Sequence, residues 1–232
     1  VRAFLFGTIA HMGKISEFLT GGSVTMKEVH SPINGALTVK WDMGMGYQIM
    51  GGGLWQVGGP VLFVWKTALK KVHFHRPVLK NVLILGLGGG SIAQLAREFW
   101  GEVPITGVDI DPVIVQLGRD YMNLGKLHVD IHIADAYKIL EISKTKKYDL
   151  ICIDTYVGEE FPEKFESDTF LKLVRSHLSV HGVAVFNRLY YGDKRKIADL
   201  FEKKLMKAFP SVFAMYPEVS ALYIVSEREL GQ

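Results

Sequence analysis

The stretch Val82-Leu-Ile-Leu-Gly-Leu-Gly-Gly-Gly-Ser91 decides the fold. Its first four residues form an unbroken apolar run, as expected of a strand covered on both faces. Ile92 to Trp100 follows with helical periodicity, so the glycines form the turn between a buried strand and a helix. Glycine lets the backbone turn tightly and come close to a ligand that a Cβ would obstruct. The N–H groups at the helix start suit an anionic or electron-rich group. Ser91 stands where a dinucleotide-binding fingerprint has Gly or Ala, which counts against a nicotinamide cofactor.

Toward the C-terminus the pattern alternates. Ile105 to Val108 reads as a strand, and Asp111-Pro112 opens a helix with Asp as N-cap and Pro in the first turn. Leu127 to Ile133, Tyr148 to Ile153 and Val183 to Phe186 read as further strands. Helices are expected at Ala136 to Ile142, about Asp168 to Leu178, and Lys194 to Phe209. Such a βαβ series implies a mostly parallel, doubly wound Rossmann-like sheet with helices on both faces. Val212 to Tyr216 and Ala221 to Val225 are joined by Pro217-Glu-Val-Ser220, too short for a crossover helix. They must form a C-terminal antiparallel hairpin.

Toward the N-terminus, glycines at 44, 46, 51, 52, 53, 58 and 59 punctuate short β-prone pieces. These are Ser23 to Val29, Ala36 to Trp41, Tyr47 to Met50 and Leu54 to Val57. Asn34-Gly35 within Ser31-Pro-Ile-Asn-Gly35 is a hairpin signal, since both positions tolerate positive φ. A small antiparallel β unit is expected, then a helix from Pro60 to Val72. The expected division is a segment 1–77 carrying the β unit and a Rossmann-like domain 78–232.

With 232 residues, 48% apolar and 22% charged, the chain can bury a core without staples, and disorder is excluded. A formal net charge of +3 is too small to point to nucleic acid. Cys152 is the single cysteine, so no internal disulfide and no Cys-based zinc site is available. A cytoplasmic setting is the natural expectation. Val1 to Ala10 is apolar but too short to span a bilayer; it reads as a trimmed leader, the end of an upstream segment or a helix packing on the body. The pairs His73/His75 and His128/His132 lack a matching acid or cysteine set, so no metal is expected.

Three acids follow strand ends. Asp109, roughly 20 residues beyond the glycine loop, can accept both hydroxyls of a ribose. Neighbouring Asp111 is explained as a helix cap. Asp135 could accept from an exocyclic adenine amine while the Ala136 N–H donates to a ring nitrogen; the alternative is another N-cap. Asp154 falls at the tip of the fourth strand, where a carboxylate can take a proton from an attacking amine or hold an ammonium. Between Asp154 and Asp168 there are six acids and one base, Lys164, an acidic lip that would draw a cationic acceptor. Glu159 and Glu160 lie in that stretch.

The order of these motifs from about Ser31 to Val225 resembles the spermidine synthase family of aminopropyltransferases and their class I methyltransferase-fold relatives. The matching residues are Val82 to Ser91, Val108-Asp-Ile-Asp-Pro112, Ala134-Asp-Ala136, Tyr148 to Thr155, His181 to Val185, and Gly53-Leu-Trp-Gln56. The resemblance implies S-adenosylmethionine or its decarboxylated form as co-substrate. It makes Gln56, Gly86, Asp109, Asp135 and Asp154 ligand-facing, with Gly88 and Gly90 in the cradle and Ala136 at the adenine. The chain departs from the family at two places. Gly89 stands where aminopropyltransferases carry an aspartate, and Val157 stands where the last acid of Asp-Ser-Ser-Asp is the presumed base. Glu159 and Glu160 are candidates to replace it.

The expected activity is transfer of an aminopropyl or methyl group to a small, cationic amine, with no metal, no nucleic acid and no membrane span. A homodimer is left open. The alternatives are a non-catalytic adenosyl-nucleoside-binding module that has lost the base, and, less favoured, an NAD-dependent oxidoreductase.

Overall fold

The structure is a computed structural model and describes residues 22–143 and 145–228. The expectations for Val1 to Ala10 lie outside the described residues. The first sheet is antiparallel in the order β1 (Ser23–Ser31), β2 (Gly35–Asp42), β3 (Gly46–Gly51), β4 (Leu54–Val57). The Asn34-Gly35 hairpin forms as its sequence requires, with Gly35 at φ +68°.

Helix α1 (Pro60–His75) follows, with Pro in its first turn. Its buried stripe of Val64, Trp65, Ala68, Leu69 and Val72 joins one core with Leu37, Val39, Ile49 and Val57 of the small sheet and Val82 and Ile84 of the large one.

The large sheet contains β5 (Val82–Leu85), β6 (Ile105–Asp109), β7 (Val129–Ile133), β8 (Tyr148–Ile153), β9 (Leu178–Leu189), β10 (Ser211–Met215) and β11 (Ser220–Ser226). Their order is β10-β11-β9-β8-β5-β6-β7. β9, β8, β5, β6 and β7 are parallel, and β11 runs antiparallel to both β9 and β10. Helices α2 (Ser91–Trp100), α3 (Pro112–Tyr121), α4 (Ala136–Ile142), α5 (Asp168–His177) and α6 (Lys194–Ala208) connect the strands. This is a doubly wound sheet closed by an antiparallel hairpin, preceded by the small sheet. All four residues of β5 are fully buried, as an unbroken apolar run demands.

Several boundaries differ from expectation, two of them at strand starts. Strand β9 starts at Leu178, directly after the helix, and not at Val183. Its register against β8 shifts between Tyr148 and Leu150. Gly182 sits in this irregular part, where a Cβ would fall 2.6 Å from the Tyr148 carbonyl oxygen. Ser179, His181 and Gly182 thus belong to a bulged strand, which simple alternation does not reveal. Strand β7 starts at Val129, because Leu124–Lys126 forms a short helical turn and His128 has φ +49°.

Candidate active site

The C-terminal ends of β5, β6, β7, β8 and β9 open on one cavity of about 210 Å³, roofed by β4 and the start of α1. It is the crevice in which open α/β sheets hold ligands. Gln56, Gly86, Gly88, Asp109, Asp135, Ala136 and Asp154 all line it. Gly90 lies behind it as the left-handed cap of α2, at φ +98°.

Gly86 is required by sterics. It has φ +88°, and a Cβ there would lie 2.1 Å from the Asp154 carbonyl oxygen. The loop is held by backbone bonds from Gly86 and Leu87 to Val108, and from Asp154 to Leu85. Ser91 Oγ accepts from Gly58 N at 2.9 Å, so it fastens the glycine loop to the turn leaving the small sheet.

Asp109 accepts from Gly88 N at 2.6 Å and Asp111 N at 2.9 Å. Burial raises its pKa, against the opposing pull of those two N–H groups. Its carboxylate holds the glycine loop in shape and retains lone pairs beyond these two bonds.

Asp111 does more than cap α3. Besides accepting from Val113 N, it receives Ser31 Oγ at 2.5 Å and Asn34 Nδ2 at 2.6 Å. The turn of the first hairpin is thereby tied to the large sheet.

Asp135 caps α4 through Tyr137 N at 2.8 Å and pairs with Lys164. Burial works to raise its pKa, but the Lys164 ammonium and the Tyr137 N–H outweigh it, and the net shift is downward. Gln56 Nε2 makes a long contact of 3.4 Å with the Gly51 carbonyl.

Asp154 has two neighbours that the linear pattern does not disclose. Trp65 Nε1 donates to its Oδ2 at 2.8 Å, and Asn187 Nδ2 to its Oδ1 at 2.9 Å. Burial pushes its pKa up to about 6 against these two bonds. Trp65 is fully buried. It reads in sequence as one more apolar residue on a packing face, yet a buried indole N–H needs an acceptor. Asn187 extends the apolar run of β9, and a buried amide in such a run was the available signal.

The acidic lip dissolves on folding. Glu159 and Glu160 are exposed at a tight turn closed by mutual Val157–Glu160 backbone bonds, and neither lines the cavity. Tyr191 Oη donates to Glu159 at 2.9 Å, and Lys194 pairs with Glu160 at 3.1 Å. Glu166 pairs with the buried Arg188 at 2.6 Å. Of the acids between 154 and 168, only Asp154 reaches the cavity. Counting charges along the chain fails here because their partners come from β9 and α6. The structure adds Thr155, Lys164 and Glu218 to the lining.

Among the described residues no three His, Cys, Asp or Glu side chains come together to hold a metal. No helix among them is long and apolar enough to cross a membrane.

Comparison with known proteins gives the family and the fold. Residues 66–225 match the family described as spermine/spermidine synthase domain. A polyamine aminopropyltransferase of Vibrio vulnificus (strain CMCP6) is 35% identical over 114 residues, 48% of this chain and 38% of that protein. Curated relatives of this kind are longer proteins, of which the aligned part of the chain spans about half or less. A crystal structure of spermidine synthase in complex with the transition-state analogue AdoDATO superposes with a TM-score of 0.75 at 16% identity, covering 88% of this chain and 74% of that one. Human methyltransferase-like protein 13 in complex with SAH gives 0.58 at 23% identity, covering 73% of this chain and 82% of that one. These two likenesses establish the class I methyltransferase-like fold. The profile match covers more than half of the chain, and the chain belongs to the spermine/spermidine synthase domain family.

Proposed function

We propose that this protein transfers an aminopropyl group from decarboxylated S-adenosylmethionine to a small amine. One observation carries the reading. Among the described residues, the charged side chains lining the cavity are Asp109, Asp135, Asp154 and Glu218 against Lys164 alone, and Lys164 is taken by Asp135. Such a lining favours a cationic sulfonium and an amine, and holds no unpaired cation for the α-carboxylate of an intact methionine tail.

In this arrangement Asp109 receives the ribose hydroxyls, and Asp135 with the Ala136 N–H receives the adenine. Asp154 lies at the reacting centre. Above about pH 6 it is ionised and can accept a proton from the attacking nitrogen. The nitrogen lone pair forms the new C–N bond as the C–S bond breaks. The sulfur keeps the bond pair and leaves as neutral methylthioadenosine.

A second reading, methyl transfer from S-adenosylmethionine, is favoured by Gly89. A Cβ there would meet Val57 Cγ1 at 2.8 Å, so the acid that aminopropyltransferases carry in this loop would require the Val57 side chain to shift.

The test is a calorimetric and melting comparison of S-adenosylmethionine, its decarboxylated form, methylthioadenosine and NAD, followed by product analysis with amines. Release of methylthioadenosine supports the proposal, and release of S-adenosylhomocysteine makes methyl transfer the activity. Nucleoside binding without turnover identifies a non-catalytic binding module, and a response to NAD alone overturns the nucleoside assignment.

A further inference from the structure

Among the described residues the two sheets have four edge strands, β1, β4, β7 and β10. An edge presents a row of backbone N–H and C=O groups that another strand can pair. Three of the four carry features that block such pairing. Strand β1 is bulged between Thr25 and Lys27, and Lys27 and Glu28 are exposed on it. Strand β4 has four residues and an irregular register, and its Val57 packs on the glycine loop. Strand β7 carries the exposed Asp130 and His132.

Strand β10 has none of these. Ser211-Val-Phe-Ala-Met215 holds no charge and no proline, since Pro210 and Pro217 lie outside it, and it pairs with β11 without a register shift. Its outer edge has no strand partner among the described residues. Phe213 is 41% exposed, and Tyr216, just past the strand, 50%. Both flanking helices add to them. On α1, Lys71 lies over the Phe213 ring at 5.0 Å, and Phe74, one turn on, is 79% exposed. On α6, Glu202 accepts from Tyr216 Oη at 3.2 Å, and Met206, one turn on, is 58% exposed. At about 200 Å² for a side chain of this size, these four expose roughly 450 Å². That is more than half of the ~800 Å² that each partner buries in a stable interface.

We propose that β10 is a dimer interface, at which two copies of this chain join their large sheets by antiparallel β10–β10 pairing. Phe74, Met206, Phe213 and Tyr216 are covered around the paired strands. A second copy fits this edge because a twofold axis across the strand sets it antiparallel to its mate, and the same residues then meet from both sides. With no charge on β10, the two copies meet along it without like-charge repulsion. The inference is independent of the transferase reading. It bears on the site nonetheless, since β10 leads directly into the turn at 217–219, where Glu218 and Val219 line the cavity.

The experiment is analytical sedimentation of the full chain through a dilution series, with amide hydrogen exchange read at the same concentrations. Wild type should sediment at twice the mass of one chain and dissociate on dilution. The β10 amides that point away from β11 should exchange at least about tenfold more slowly in the dimer than in the monomer. Phe213→Lys should be monomeric where wild type is dimeric, with its circular dichroism unchanged. Phe74→Glu alters a side chain that is largely in solvent, so the fold persists, and the dimer dissociation constant should rise about tenfold or more. Ile133→Lys, on the β7 edge, should leave the dimer as it is. A wild type that is monomeric throughout overturns the proposal. So does a dimer that persists in folded Phe213→Lys, an unchanged dissociation constant in Phe74→Glu, or a dimer lost in Ile133→Lys.

Discussion

The indole N–H of Trp65 donates to the carboxylate of Asp154 across 2.8 Å, joining helix α1 to the tip of β8. Trp65 lies in the first half of α1, the element that leads out of the small sheet, and Asp154 is the acid nearest the proposed chemistry. The bond steadies the ionised form of a carboxylate that burial disfavours. It also makes the reacting end of the cavity depend on the docking of α1.

Trp65→Phe tests that dependence. Phenylalanine keeps most of the apolar contact and removes the donor. The Asp154 pKa should rise above the present value of about 6, because a hydrogen bond to the charged form is lost. Stability should fall by about 1 to 3 kcal/mol from the lost bond and the smaller ring. The midpoint of urea unfolding and the pH dependence of amine binding read the two effects separately. An unshifted pH profile would show that the bond does not govern Asp154.

Asp154 also links stability to pH. Its folded pKa lies above its unfolded one, so no penalty arises below about pH 4, and the penalty is complete above the folded value. The raised value of about 6, against an ordinary carboxyl value of 3.8, corresponds to about 3 kcal/mol of destabilisation at neutral pH. Asp154→Asn should therefore gain stability relative to wild type as pH rises from 4 to 7. Asp109, also raised, acts in the same direction in both proteins, and Asp135, lowered, in the opposite one. Denaturant curves of the two proteins at several pH values isolate the Asp154 contribution. The same substitution should abolish capture of the amine.

Asp109→Ala leaves Gly88 N and Asp111 N without their acceptor. Affinity for methylthioadenosine should fall at least about 100-fold, since ribose contacts and loop shape go together. Calorimetry gives the affinity, and circular dichroism checks that the fold persists. Unchanged affinity would dismiss the ribose assignment.

Ser31→Ala addresses the attachment of the small sheet. Ser31 is fully buried, accepts from Ile33 N and Asn34 N, and donates to Asp111. Its loss leaves buried donors unpaired and should cost about 1 to 3 kcal/mol. Because β4 roofs the cavity, nucleoside affinity should fall with it. Loss of stability with full affinity would show that the hairpin turn is not coupled to the site.

Asp109 illustrates how far linear reading goes. Its place after β6, a fixed interval beyond the glycine loop, follows from strand and turn lengths, and the structure puts it on the cavity. Glu159 and Glu160 illustrate the limit. They stand a few residues from Asp154 in sequence, yet a tight turn carries them to Tyr191 and Lys194. Asp111 lies between: its cap is legible from Asp-Pro, whereas its bonds to Ser31 and Asn34 cross to another sheet.

The sequence by itself determined the strand–glycine turn–helix unit, the alternation of strands and helices, the terminal hairpin, and the acids at the strand tips. These follow from side-chain periodicity, from positive φ at glycine, and from loop length, all properties of neighbouring residues. Only the tertiary structure decided which acids face the ligand and what sets their charge. Trp65 meets Asp154 across 89 positions and Ser31 meets Asp111 across 80. A carboxylate's pKa depends on the solvent it loses and the donors packed against it. Those neighbours are assembled by the folded chain, and no local pattern carries them.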